Sequence, residues 1–209
     1  MENVCGWIAQ AGDSPLRDPL KGTQQADWLV IGAGITGLSA AHSLAELHPQ
    51  ARIVLVDRQR AAQGASARNS GFVVAHEHPG HAELQGTPGF AGYQADTAIG
   101  RTASDEVRKR IARHGIECDL QWGYLHCAVK PDRQHELVLW KDEMDALGYA
   151  GCEVLSKAEL EAKLGTTLYH GAMREARAGH FHPLNYCLGL ASAAVAAGAI
   201  IYENSKVLN

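Results

Sequence analysis

The chain has 209 residues, is 46% hydrophobic and 20% charged, and carries a formal net charge of −4. That size suits one large globular domain or two small ones, and the acidic balance leaves no basic surface for nucleic acid. No apolar run approaches the ~20 residues needed to cross a bilayer, so no membrane span is expected.

Residues 1–26 contain Asp13, Pro15, Asp18 and Pro19 and lack an apolar signal core, so they read as an irregular lead-in rather than a secretory signal. Trp28 to Ile31 then form an apolar run of strand type. The next six residues, Gly32-Ala33-Gly34-Ile35-Thr36-Gly37, form a G-x-G-x-x-G loop that opens a helix with Leu38, Ala41 and Ala45 on one face. Pro49 ends that helix. A dinucleotide pyrophosphate requires this arrangement. Gly32 makes the tight turn, Gly34 leaves the backbone bare to the phosphates, and Gly37 lets the helix approach the strand. Amides at the helix start then face the anion, helped by the helix dipole. A second apolar run, Ile53 to Val56, ends at Asp57, twenty residues beyond Gly37, where a carboxylate would bond the adenosine ribose hydroxyls.

A second small-residue loop follows, Gly64-Ala-Ser-Ala-Arg-Asn-Ser-Gly71. It offers backbone amides, the Ser66 hydroxyl, the Arg68 guanidinium and the Asn69 amide to an extended anionic cofactor lying across the strand ends. His76, His78 and His81 cluster nearby, but Pro79 and Gly80 interrupt any regular ligand-presenting element, so a solvated loop is expected and no metal site. Residues 76–92 read as loop, and a helix is expected from Thr97 to His114 with Ala103, Val107 and Ile111 as its apolar stripe.

The pattern then changes. A strand is expected from Gly123, and a helix from Pro131 through Leu147 with Leu137, Trp140, Met144 and Leu147 inward. Ser156 and Glu159 form a capping box for a short helix ending at Gly165. Residues 172–181 are expected to be extended. Residues 183–198 form a helix and 199–202 another strand, a helix-then-strand unit of a parallel sheet. His180 and His182 flank this return and are expected to bond backbone and fix packing. The five cysteines, at 5, 118, 127, 152 and 187, show no C-x-x-C spacing and read as reduced thiols of a cytoplasmic protein.

Together the segments 30–41, 56–58 and 64–71 resemble the FAD-dependent oxidoreductases of the D-amino acid oxidase type. Residues 118–126 and 179–190 are similar to the γ-glutamylputrescine oxidase branch, although Gly71 is followed by Phe72 and Val73 where that branch carries Gly-Gln. The resemblance implies an α/β fold: a Rossmann-like FAD-binding domain, with a parallel sheet and helices, plus part of an α+β substrate domain. The expected division is 27–85 with 182–209 for the FAD-binding domain and 86–181 for the partial substrate domain. The family is about twice this length against a typical domain, so a truncated form with an incomplete sheet is expected.

The resemblance also implies the site. Residues 32–37 cradle the FAD pyrophosphate. Asp57 takes the ribose, in a place where the family more often has Glu, and Arg58 lies beside the adenosine. Ser66, Arg68, Asn69 and Gly71 line the pyrophosphate and flavin side, and Val207 approaches the adenine through its backbone. Some relatives attach flavin through a histidine of this loop; Arg68 stands there, so non-covalent FAD is implied. The expected reaction is oxidation of a C–N bond in a small amine or amino acid, γ-glutamylputrescine-like substrates included, by hydride transfer to flavin, with oxygen or another acceptor closing the cycle. No catalytic acid or base is assigned within the chain. Two alternatives stay open: a truncated, inactive dinucleotide-binding relative, and an NAD-dependent reductase, which Asp57 suits and the 64–71 loop argues against.

Overall fold

A computed structural model describes residues 5–12, 14–74, 86 and 88–208, without the side chain of Pro88. His76, His78 and His81 lie outside the described residues. The chain divides into two compact units. One comprises residues 1–71, 109–120 and 181–209, and the other 72–108 and 121–180.

The first unit is built on a parallel sheet of β1 (Trp28–Ile31), β2 (Ile53–Val56) and β7 (Ile200–Tyr202), in the order β1-β2-β7. Trp28 pairs with Ile53 and Ile31 with Val56, while Val54 to Val56 pair with Ile200 to Tyr202. All four residues of β2 are buried, as expected of a strand with neighbours on both sides. In contrast, β1 pairs only with β2 among the described residues, and its Leu29 and Ile31 are 58% and 64% exposed. Helix α2 (Ile35–Leu47) buries Leu38, Ala41 and Ala45 as their spacing predicts, together with His42. Helix α6 (Pro183–Ala196) packs against α2 and buries Leu184, Leu190, Ala191 and Ala194. Pro183 occupies the first turn of α6, and the His182 side chain caps it by accepting the Asn185 amide at 3.2 Å. His182 also donates its own amide to the Cys118 carbonyl, so this histidine fixes backbone, as expected.

Residues 109–120 group with this unit where the sequence predicts the second region, and 72–74 group with the second where the sequence predicts the first. The physical reason for 109–120 is Gly189 of α6. A Cβ there would overlap Ile116, so the bare helix backbone admits the 115–117 segment. The lead-in is also more ordered than expected: it contains α1 (Gly6–Gln10), which packs on α6. Burial pushes the thiols of Cys118 and Cys187 up to about 11 and about 12, so neither is a thiolate at neutral pH. All five cysteines are unpaired.

The second unit is an antiparallel sheet centred on β6 (Gly171–His180). Strand β4 (Gln121–Cys127) pairs along one edge of β6. The other edge is shared by β5 (Cys152–Ser156) and β3 (Phe72–Val73). Helix α4 (Gln134–Ala146), entered through a 3-10 turn at Pro131–Arg133, buries Leu137, Trp140 and Met144 beside Leu147, Tyr149 and Met173. Helix α5 (Lys157–Leu164) starts at the expected capping box, with Ser156 and Glu159 bonded reciprocally, and ends on Gly165 in the left-handed region. Inside, the buried Tyr149 hydroxyl donates to the buried Glu175 carboxylate.

Helix α3 (Pro88–His114) starts at Pro88, well before the expected Thr97, because proline is tolerated in a first turn. Its stripe also differs from the expected one. Ile111 is buried as expected and Val107 half-buried, but Ala103 is exposed, and Thr97 and Ser104, at seven-residue spacing from Ile111, are buried instead. No described helix is long and apolar enough to cross a membrane.

Candidate cofactor site

The three parallel strands end at one crevice, the place where open α/β sheets bind ligands. A cavity of about 360 Å³ lies there, within the first unit. Gly32, Gly34, Asp57, Arg58, Ser66 and Val207 all line it. Its size falls within the range of about 300–1,000 Å³ usual for small-molecule sites.

Each wall has a local cause. Gly32 turns the chain out of β1 with φ at +102°, a conformation side chains rarely adopt. A Cβ on Gly37 would overlap the Gly32 carbonyl oxygen and touch Val30, so α2 can start this close to β1 only with a bare residue there. Ala33 is fully buried beneath the loop. It donates its amide to Asp57 Oδ2 at 2.7 Å and accepts the Ala62 amide on its carbonyl at 2.8 Å. Asp57 Oδ1 accepts the Gln59 amide at 2.7 Å. The carboxylate therefore ties the end of β2 to the glycine loop, and each oxygen keeps a further lone pair.

The second loop folds onto the first. Residues Ala65–Ala67 form a 3-10 turn. The Ser66 hydroxyl accepts the Ile35 amide, the first of α2, at 2.9 Å. A Cβ on Gly34 would lie 2.9 Å from the same hydroxyl oxygen, so the two loops meet where Gly34 is bare. Asn69 organises its own turn by donating to the Ala65 and Ser66 carbonyls at 3.2 and 2.8 Å and accepting the Gly71 amide at 2.8 Å. Arg68 is exposed and donates to the Gln63 carbonyl at 3.0 Å. Gly71, with φ at +76°, accepts the Phe181 amide on its carbonyl, and a Cβ there would overlap the Phe181 carbonyl.

The structure thus divides the expected residues. Gly32, Gly34, Asp57, Arg58, Ser66 and Val207 face one cavity. Ala33, Ile35, Gly37, Asn69 and Gly71 shape the loops from behind, and Thr36 and Arg68 are exposed outside its lining. Gln59, Gly64, Ser205 and Lys206 line the cavity and were missed. Gln59 and Lys206 directly adjoin the expected Arg58 and Val207. Counting the whole loop after each parallel strand would have found them.

These groups fit an adenine dinucleotide. The glycine backbone leaves space at the helix start, Asp57 retains acceptor capacity for ribose hydroxyls, and Arg58 and Lys206 add positive charge to the lining. No cluster of metal-ligating side chains occurs among the described residues.

Residues 27–209 match the family described as FAD dependent oxidoreductase. The chain is 34% identical over 192 residues to the "Probable oxidoreductase OrdL" of Haemophilus influenzae, an alignment covering 91% of this chain and 44% of that protein. It is 30% identical over 201 residues to the gamma-glutamylputrescine oxidoreductase of Escherichia coli, covering 96% and 47%. Among solved structures, L-amino acid deaminase from Proteus vulgaris superimposes with a TM-score of 0.70 at 23% identity, covering 91% of this chain and 43% of that one. The chain spans about half the length of the curated relatives it matches. It belongs to the DAO family of FAD-dependent oxidoreductases, whose cofactor is the dinucleotide that this crevice fits.

Proposed function

We propose that the chain is the cofactor-gripping portion of an enzyme that oxidises a C–N bond of a small amine or amino acid. The observation that carries this reading is the meeting of the two glycine loops, through Ser66 and Ile35, over a cavity at the carboxyl ends of three parallel strands. When bound, FAD would accept a hydride from the carbon bearing the amine.

In this reading the chain's own residues bind and orient. Gly32 and Gly34 admit the diphosphate to the backbone, with Thr36 at the start of α2. Asp57 accepts from the ribose through its remaining lone pairs while holding Ala33. Arg58 lies beside the adenosine, Lys206 offsets phosphate charge, and Val207 approaches the adenine through its backbone. Ser66 keeps the second loop against the first, Asn69 holds the second loop's own turn, and Gly71 joins it to Phe181. Ile35, Gly37 and Arg68 complete the same two loops. Non-covalent attachment is the reading because Arg68 stands where some relatives carry the histidine that bonds the flavin. A γ-glutamylated diamine is the finer substrate proposal, supported by the similarity to the gamma-glutamylputrescine oxidoreductase of Escherichia coli.

Titration of the purified chain with FAD, and separately with NAD, tests the reading. Preferential FAD binding supports it, and preference for NAD supports a reductase instead. For the whole protein, anaerobic bleaching of the flavin absorbance by γ-glutamylputrescine tests the substrate proposal.

A further inference from the structure

The segment before β1 does more than lead into the fold. The Trp7 indole Nε1–H donates to the Asn69 carbonyl at 2.8 Å, and its ring meets the His182 ring edge-on at 4.9 Å. The Cys5 thiol approaches the Ala67 carbonyl at 3.4 Å. Further along, Arg17 donates from its backbone and its guanidinium to the buried Glu203 carboxylate, at 3.3 and 3.1 Å. Glu203 also accepts the Ala61 amide at 2.9 Å. Leu20 donates its amide to the Ser205 hydroxyl at 2.8 Å, and Ser205 in turn donates its amide to the Asp57 carbonyl at 2.7 Å.

These bonds go to the 64–71 loop and to the segment after β7, and Ser66 of the first and Ser205 of the second line the cavity. A continuous route runs from Trp7 to the Asn69 backbone, from the Asn69 side chain to the Ser66 carbonyl, and from the Ser66 hydroxyl to the first amide of α2. Loops of this kind are mobile unless tied down, and a loop ordered before binding spares the ligand that ordering cost. We infer that residues 5–12 and 14–20 are a strap that pre-organises the cofactor crevice, with Trp7 as a positioning residue for the 64–71 loop. This rests on the FAD reading of the crevice, but the strap's effect on the loop is measurable without FAD.

The experiment uses the full chain with Trp7→Phe, which deletes the indole donor and keeps a ring, and Trp7→Ala, which deletes both. The first readout is amide hydrogen exchange of the peptide spanning 63–71 in the absence of FAD. The second is the FAD dissociation constant. Loss of one hydrogen bond predicts roughly fivefold faster loop exchange and roughly fivefold weaker FAD binding in W7F, with larger effects in W7A. Exchange in β2 should stay at the wild-type rate. Unchanged loop exchange in both variants, or an equal rise throughout the unit, overturns the strap. Wild-type FAD binding that neither variant weakens also overturns it. Failure of the wild-type chain to bind FAD contradicts the underlying FAD reading, and with it the strap's role in cofactor binding.

Discussion

The hydroxyl oxygen of Ser66 accepts the amide hydrogen of Ile35 at 2.9 Å, joining two loops that are thirty-one residues apart in the chain. That bond takes up the first amide of α2 and places the second loop over the bare backbone of Gly34. Ser66→Ala removes the acceptor and leaves the Ile35 amide to solvent. FAD affinity is expected to fall about fivefold to tenfold, the effect of one net hydrogen bond, with little change in unfolding midpoint. Parallel calorimetric titration and thermal melts check this.

Gly34→Val acts by volume rather than by bonding. Its branched side chain would strike the Ser66 hydroxyl and occupy space at the start of α2. FAD binding should be abolished while the circular dichroism spectrum keeps its native form. Full flavin content in that variant would contradict the placement of the diphosphate.

Glu203 is buried at the end of β7 and receives Arg17 and the Ala61 amide. Glu203→Ala orphans both partners. Arg17 is partly solvated, so the loss should lie at about 2–3 kcal/mol, below that of a fully buried pair. Urea unfolding followed by tryptophan fluorescence measures it.

His42 is buried in α2, and its ring meets that of His114 edge-on at 4.8 Å. Its Nδ1 lies 3.5 Å from Glu46 Oε2, and its Nε2 has no hydrogen-bond partner among the described residues. Burial lowers its pKa, opposed by Glu46 and reinforced by His114, Arg110 and Arg113. The unfolded chain therefore binds a proton at His42 more readily than the folded one. The neutral ring's stabilising advantage is present above the unfolded value near 6.5 and is lost as pH falls through the lower folded value. His42→Leu should flatten the decline in melting temperature between pH 7 and pH 5 relative to wild type. Equal slopes in the two proteins would contradict this.

Much of the first unit was legible because its signals are local. The apolar face of α2, the glycine spacing and the Ser156 capping box each depend on neighbours within a few positions. Other features were hidden because their cause lies far along the chain. β5 escaped notice because Cys152 to Ser156 lies between Gly151 and a helix cap and gains its partners only from β6. The inward face of α3 is marked by Thr97 and Ser104, which hydropathy reads as surface. The Gly189–Ile116 approach that assigns residues 109–120 to the first unit leaves no trace in either local segment. The same holds within the site. Asp57 was legible as a carboxylate at the right distance from Gly37, but its bond to the Ala33 amide requires the folded loop. Trp7 carried no periodic signal, and its partner Asn69 is sixty-two residues away.

Equilibrium titration of the purified chain with FAD, alongside NAD, decides whether this crevice holds FAD. One FAD per chain, released intact on denaturation, and weaker binding of NAD are expected. No FAD binding, or tighter binding of NAD, would contradict the FAD assignment.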